Sequence, residues 1–362
     1  MKRVWKFWRW VAGTILIFLS GGTAMAVAEV GPLGTTEPLR AVYGFSKKID
    51  PFQGKTNQEI VEFLKTYNLN AIFGQHDDDE FVDTCHRNGI RVYAEAAIFV
   101  GEKYWKEHPE SRPITASGEP LEKIEWYAGV CPNQPWLWQE KLEMIRTMVR
   151  ETKLDGIWLD FIRYPCHWEV KSPRLDQTCF CPVCMKQFQK DTGITIPAEL
   201  VNAKEKAQWV LKHHRNKFIE WKCERIALFV QKAREVIKAE RPGVLVGLFG
   251  VPWMPTELDD AIHAIIGQDY RMLAPYVDVF SPMVYHRMCG RDTKWISDVT
   301  RYLVRITRKP VVPIIQACSL PDKLTDAEFK QAMEAALSVP SAGVIIFNLK
   351  YLIEEKKPDV LR

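Results

Sequence analysis

With 362 residues, 47% of them hydrophobic, the chain is long enough to build one large domain or two ordinary ones. Its formal net charge is only +4, and part of that sits in the first ten residues. No basic stripe runs along the sequence, so nucleic acid is not an expected partner. The 13 Trp suit stacking on sugar rings, although a large core also uses tryptophan.

The N-terminus reads as a signal peptide over residues 1–26. Lys2, Arg3, Lys6 and Arg9 form a positive segment, residues 11–20 a short apolar one, and Ala24-Met25-Ala26 a cleavage site. Export to the periplasm or the extracellular space follows. The apolar run is short for a membrane span. Left uncleaved, it would act as an anchor with Trp5, Trp8 and Trp10 at the interface. Membrane contact is otherwise transient and confined to this segment. Residues 27–37 read as a linker, and residues 38–356 as the folded domain.

Beyond the leader, short apolar runs alternate with amphipathic patterns. Strands are predicted at residues 39–45, 70–74, 90–94, 156–160, 244–249, 277–284, 311–316 and 343–347. Thr56-x-x-Glu59 and Thr325-x-x-Glu328 are capping boxes, Asp79 is placed to cap the helix that follows it, and Gly89 stops that helix. Pro135 opens a helix with Trp138, Leu142, Ile145 and Val149 on one face. Residues 96–132 and roughly 165–215 are too long for plain connections. Eight strand–helix units with long insertions after strands three and four predict a (β/α)8 TIM barrel. A doubly wound sheet is the alternative, but the segment after strand one, Tyr43-Gly44-Phe45-Ser46, is not its Gly-rich phosphate loop.

In such a barrel the active site lies at the C-terminal ends of the strands. Strand four, Leu154-Asp155-Gly156-Ile157-Trp158-Leu159-Asp160, ends in a carboxylate, with Arg163 just beyond and Pro165 as a stop. Glycoside cleavage needs two carboxyl groups, one to give a proton and one to attack or to activate water. Asp160 is the first candidate, held ionised by Arg163. Glu95, which would close strand three, is the candidate proton donor, with Asp77 and Glu257 in reserve. Arg163, Tyr43, Trp253, Tyr285, His286 and Gln316 are the predicted substrate contacts. The structural reading of Glu95 is an ion pair with Arg91 or Arg163, and of His286 a satisfied core residue.

Nine cysteines include Cys179-Phe180-Cys181-Pro182-Val183-Cys184. The Cys-Pro-x-Cys turn suits a zinc knuckle, completed by Cys166 or His167. Export suits disulfides, so both readings stand. Either way the cluster is structural, and no cofactor is expected in catalysis.

Residues 155–165 resemble the D-G-I-x-L-D-x-I-R-Y-P segment of a secreted glycosyl-hydrolase-like barrel family, loosely grouped with family-10-like glycoside hydrolases. His108-Pro109-Glu110 with Gly118-Glu119-Pro120 resembles its H-P-E-W and D-G-K-P loop, with Ser111 in place of Trp. Cys131-Pro132-Asn133, residues 179–193 and Ser281-Pro282-Met283-Val284-Tyr285 resemble further motifs of the group. The resemblance implies a sugar-processing barrel with Asp160 as its active-site acid. The expectation is an exported glycoside hydrolase acting on a polysaccharide or glycoconjugate. The alternatives are a non-catalytic carbohydrate-binding barrel, a structural envelope protein, or a zinc-dependent hydrolase such as a deacetylase.

Overall fold

The computed structural model describes Leu33 and residues 37–361; the predicted signal peptide and most of the linker lie outside the described residues. Eight strands form: β1 (Leu39–Tyr43), β2 (Ala71–Phe73), β3 (Arg91–Ala97), β4 (Gly156–Asp160), β5 (Leu245–Gly250), β6 (Val279–Pro282), β7 (Ile314–Gln316) and β8 (Gly343–Phe347). They pair in parallel in the order β6-β5-β4-β3-β2-β1-β8-β7. Isolated parallel bridges Phe280–Val311 and Met283–Ile314 join the two ends, so the ring is nearly closed. This is the (β/α)8 barrel expected from the alternation, with helices between the strands. Among the described residues no helix is long and apolar enough to cross a membrane.

Strand boundaries differ from the sequence reading where proline or pairing intervenes. β6 stops at Pro282 and β7 starts after Pro313, because proline has no N–H for the ladder. β3 runs on to Ala97, drawn out by β4: Glu95 pairs with Trp158, and Ala97 with Asp160. Glu95 is therefore inside its strand and not at its end. Capping also departs in two places. Asp78, not Asp79, accepts the Phe81 N–H at 3.0 Å. Thr325 accepts from the Glu328 N–H, but the Glu328 carboxylate turns to His286 and Arg287 instead of closing the box. At Thr56 both arms of the box form.

The barrel interior is aromatic. Trp158 packs with ring centroids 4.7 Å from Tyr93 and 5.1 Å from Phe73, and its indole N–H donates to Ser281 Oγ at 2.9 Å. Gly247 on β5 makes room for it, since a Cβ there would lie 2.1 Å from the Trp158 ring. Toward the N-terminal end, Asp155 accepts from the Val92 N–H (2.8 Å), Arg91 (2.8 Å) and His86 (2.9 Å). Burial alone would raise its pKa, but these bonds outweigh burial and hold the carboxyl below its usual range. Asp278 does the same for β5, accepting from the Val246 N–H, Arg234 and Lys238.

The two long insertions pair with each other. The β3 insertion carries a short helix, Glu102–Glu107, and the β4 insertion carries helices Pro182–Thr192 and Ala203–His213. A Thr115–Thr178 bridge, with the Ala116 N–H to Gln177 O and the Phe180 N–H to Ile114 O, ties them together.

Gly247→Ala should lower unfolding free energy by about 1–3 kcal/mol through overpacking against Trp158, read from urea denaturation. Asp155→Ala should cost about 1.5–3 kcal/mol near neutral pH. Because the folded pKa is depressed, that contribution is present above the ordinary carboxyl pKa and is lost as pH falls through the folded value. Wild type and variant should therefore converge in acid.

Candidate active site

The C-terminal mouth of the barrel opens into a cavity of about 850 Å³. The strands supply Tyr43, Glu95, Asp160, Phe249 and Phe347, the loop after β6 supplies Tyr285, and the two insertions supply Glu125, Trp126, His167 and Glu169. Aromatic rings make a continuous wall: Tyr43 and Tyr285 lie 5.3 and 5.1 Å from Phe347, and Tyr285 stacks on Trp168 at 5.9 Å. Trp126 stands 56% exposed at the rim, placing a flat apolar face in water.

Asp160 sits at the base, 8% exposed. Its Oδ1 accepts the Phe161 N–H at 2.6 Å and lies 3.7 Å from Arg163 Nη1. Phe161 takes a left-handed conformation (φ 54°), which turns the chain sharply after the carboxylate. Glu95 meets Asp160 in a carboxyl–carboxyl hydrogen bond and accepts from the Tyr43 hydroxyl. Burial, then the charge of Asp160, pushes the Glu95 carboxyl up to about 8. Burial also raises Asp160, while Arg163, the Phe161 N–H and the Glu95 proton pull it back. Both carboxyls are thus raised, and the Arg163 charge and the Phe161 N–H favour the charged form of Asp160, whereas Glu95 has no cation beside it.

Glu169 is a third carboxyl, and strand-end reasoning misses it because it lies within the β4 insertion. Its side chain is 10% exposed, its Oε2 has no hydrogen-bond partner, and His167 Nε2 is 4.0 Å away. Burial pushes it up to about 7, with Arg163 drawing it down and Asp160 raising it. Its only sequence signal is an acid a few residues beyond the strand-four motif.

Of the predicted substrate contacts, Tyr43 and Tyr285 line the cavity. Arg163 does not: it is 1% exposed, its guanidinium packed over the rings of Phe161 (4.8 Å) and Tyr127 (5.5 Å). It acts behind the wall as the counter-charge to Asp160 and Glu169. Trp253 is buried away from the cavity. His286 is buried against Glu328 at 3.0 Å, and Gln316 is spent on the Met288 N–H and the carbonyls of Cys318 and Leu320. A strand end does not reach the cavity when neighbouring loops consume its polar groups. Asp77 is exposed, and Glu257 pairs with Arg291 at 2.7 Å. Glu95 makes neither of the structural ion pairs considered for it; Arg91 goes to Asp155.

Away from the cavity, four buried thiols converge: Cys131, Cys179, Cys181 and Cys184, with all four sulfurs within 4.8 Å of one another. Cys131, not Cys166, is the fourth member. Cys166 is held apart because its N–H donates to the Tyr127 hydroxyl and its thiol faces the Arg174 carbonyl at 3.6 Å. His167 faces the cavity. Cys131 lies 48 positions before Cys179, so only the pairing of the two insertions brings it in.

Residues 55–312 match the family described as "Putative glycosyl hydrolase domain". No curated protein matches the sequence. Among solved structures, the glycoside hydrolase domain of PgaB (BpsB) from Bordetella bronchiseptica superposes with a TM-score of 0.66 at 12% identity, covering 90% of this chain and 98% of that one. A β-galactosidase from the psychrophilic Marinomonas ef1 gives 0.62 at 11%, covering 86% of this chain. An α-L-fucosidase isoenzyme from Paenibacillus thiaminolyticus gives 0.57 at 15%, covering 90% of this chain. The chain spans about half the length of these last two, 54% and 48%. At such identities the likeness is one of fold. The match over residues 55–312 carries the assignment: this chain belongs to that glycosyl hydrolase domain family.

Proposed function

We propose that this chain is an exported glycoside hydrolase cleaving O-glycosidic bonds in a polysaccharide or glycoconjugate, with Asp160 as the ionised carboxylate and Glu95 as the proton donor. The observation that carries the reading is the contacting Asp160–Glu95 carboxyl pair at the base of an aromatic cavity. Cleavage needs one carboxyl protonated near neutral pH and another ionised. The raised Glu95 supplies the first, and Arg163 beside Asp160 favours the second. Trp126 and Tyr285 offer faces on which sugar rings stack. The neighbours named above, a β-galactosidase, an α-L-fucosidase and a glycoside hydrolase domain, support a carbohydrate substrate.

One observation favours Glu169 as the donor. Carboxyls that flank a glycosidic bond stand about 5–5.5 Å apart in retaining enzymes and about 6.5–9.5 Å in inverting ones. Glu95 and Asp160 touch, whereas Glu169 reaches the same cavity from the β4 insertion with one oxygen unpaired. In this second reading Glu95 sets the charge of Asp160, and Glu169 protonates the leaving oxygen.

The test is release of reducing ends from a panel of polysaccharides. Asp160→Asn should lower kcat by about 10²–10⁴-fold with melting and glycan binding kept. Equal activity in wild type and variant would remove Asp160 from the chemistry. Binding without cleavage by either would favour a carbohydrate-binding barrel. Glu95→Gln and Glu169→Gln separate the two donors: the donor's variant loses activity on poor leaving groups but retains it on activated aryl glycosides, which need no acid.

Stability should also depend on Glu95. The native state keeps its proton up to about pH 8, whereas an unfolded glutamate gives it up near its ordinary pKa. The folded pKa is raised, so the contribution is full below the unfolded value and is lost as pH rises through about 8. Glu95→Gln should therefore raise Tm relative to wild type above that pH, and by less in mild acid, as read by scanning calorimetry.

A further inference from the structure

We infer that Cys131, Cys179, Cys181 and Cys184 bind a structural zinc ion that clamps the β3 insertion to the β4 insertion. This holds whether or not the cavity hydrolyses glycosides. Cys131 Sγ lies 3.7 Å from Cys181 Sγ and 3.4 Å from Cys184 Sγ. A tetrahedral ion with metal–sulfur bonds of about 2.3 Å sets its sulfurs about 3.8 Å apart, whereas bonded sulfurs are about 2.05 Å apart. Four thiols facing one centre match a closed tetrathiolate site, with Cys181-Pro182-Val183-Cys184 as the tight turn that brings two of them to the ion.

The surroundings suit thiolates. The Ile114 N–H points at Cys179 Sγ (3.4 Å), the Cys184 N–H at Cys181 Sγ (3.5 Å) and the Asn133 amide at Cys184 Sγ (3.2 Å). Asn133 is itself oriented, because its carbonyl oxygen accepts from Arg225 at 2.9 Å and its amide donates to the Tyr164 hydroxyl at 2.8 Å. Such outer contacts fix ligands and spread charge. Four thiolates around a divalent ion leave two negative charges. Arg225, bonded to Asn133, brings positive charge to the same region, and the fully buried Lys222 packs over the Tyr164 ring at 4.5 Å.

The consequence is mechanical. Cys131 follows Glu125 and Trp126 in one wall of the cavity, and the other three cysteines follow His167 and Glu169 in the opposite insertion. An ion joining them fixes both walls from behind. With four ligands it has no open position for substrate, so it holds structure and does no chemistry.

Elemental analysis of the purified full-length protein, prepared without chelator, should find about one zinc per chain. Cys131→Ser and Cys184→Ser should each abolish it, whereas Cys166→Ser should retain it. Loss of zinc in Cys166→Ser would overturn the ligand set. Where a ligand variant fails to fold, cobalt-substituted wild type decides: thiolate-to-cobalt charge transfer with tetrahedral d–d bands is expected, and their absence overturns the site. Iron in place of zinc would overturn it. So would metal-free protein whose four cysteines resist alkylation in denaturant until reductant is added, since that makes them disulfides. Stripping the zinc should speed protease cleavage within residues 98–134 and 161–214 at least several-fold, and unchanged cleavage would overturn the clamp.

Discussion

The pairing of β3 with β4 is the constraint on which the site depends. The ladder runs from Tyr93 against Gly156 to Ala97 against Asp160, and side chains alternate across it. Tyr93 and Glu95 on one strand, and Trp158 and Asp160 on the other, therefore turn to the barrel interior together. A one-residue slip of either strand would send its carboxyl outward among the helices and part the pair. The register is held from below by Asp155, whose carboxylate takes the Val92 N–H and so ties the start of one strand to the other. It is held from within by Trp158, which fills the layer beneath the acids and leaves space only for a glycine on β5.

Above that layer the chain concentrates charge where water is scarce. Three carboxyls, Glu95, Asp160 and Glu169, share the field of one arginine, Arg163, that is itself fully buried. One cation does not neutralise three anions, so protons remain on the least favoured carboxyls. Burial raises all three, and the charge of Asp160 adds to the rise of Glu95 and Glu169, while Asp160 has both the guanidinium and the Phe161 N–H to draw it back in part. Differences in environment among like groups are what acid–base chemistry at neutral pH requires.

The insertions turn a common barrel into a particular cavity. They pair with each other through the Thr115–Thr178 bridge and gather four cysteines behind their contact. The walls that present Trp126, His167 and Glu169 thus rest on paired insertions and not on free loops. The shape of the cavity is set as much by these segments as by the strands.

Period-two and helical patterning, with Gly and Pro punctuation, was enough to read eight strands, the barrel, the two insertions and Asp160 at a strand end. These are local properties: which face is apolar and where a turn must come. Glu95 was legible as a strand-end acid, but its contact with Asp160 was not, because β3 lengthens only when β4 templates it. Cys131 joins its partners through a contact between insertions, which no spacing encodes, and Glu169 turns into the cavity from within a long insertion whose path local patterning does not give. His286, Gln316 and Trp253 look like site residues in the linear order and are not at the cavity. Glu328 captures His286 and loop backbone satisfies Gln316, while Trp253 is buried elsewhere. Sequence by itself determined which residues could reach the barrel mouth. The tertiary structure decided which do, because burial and hydrogen-bond competition are settled among segments far apart in the chain.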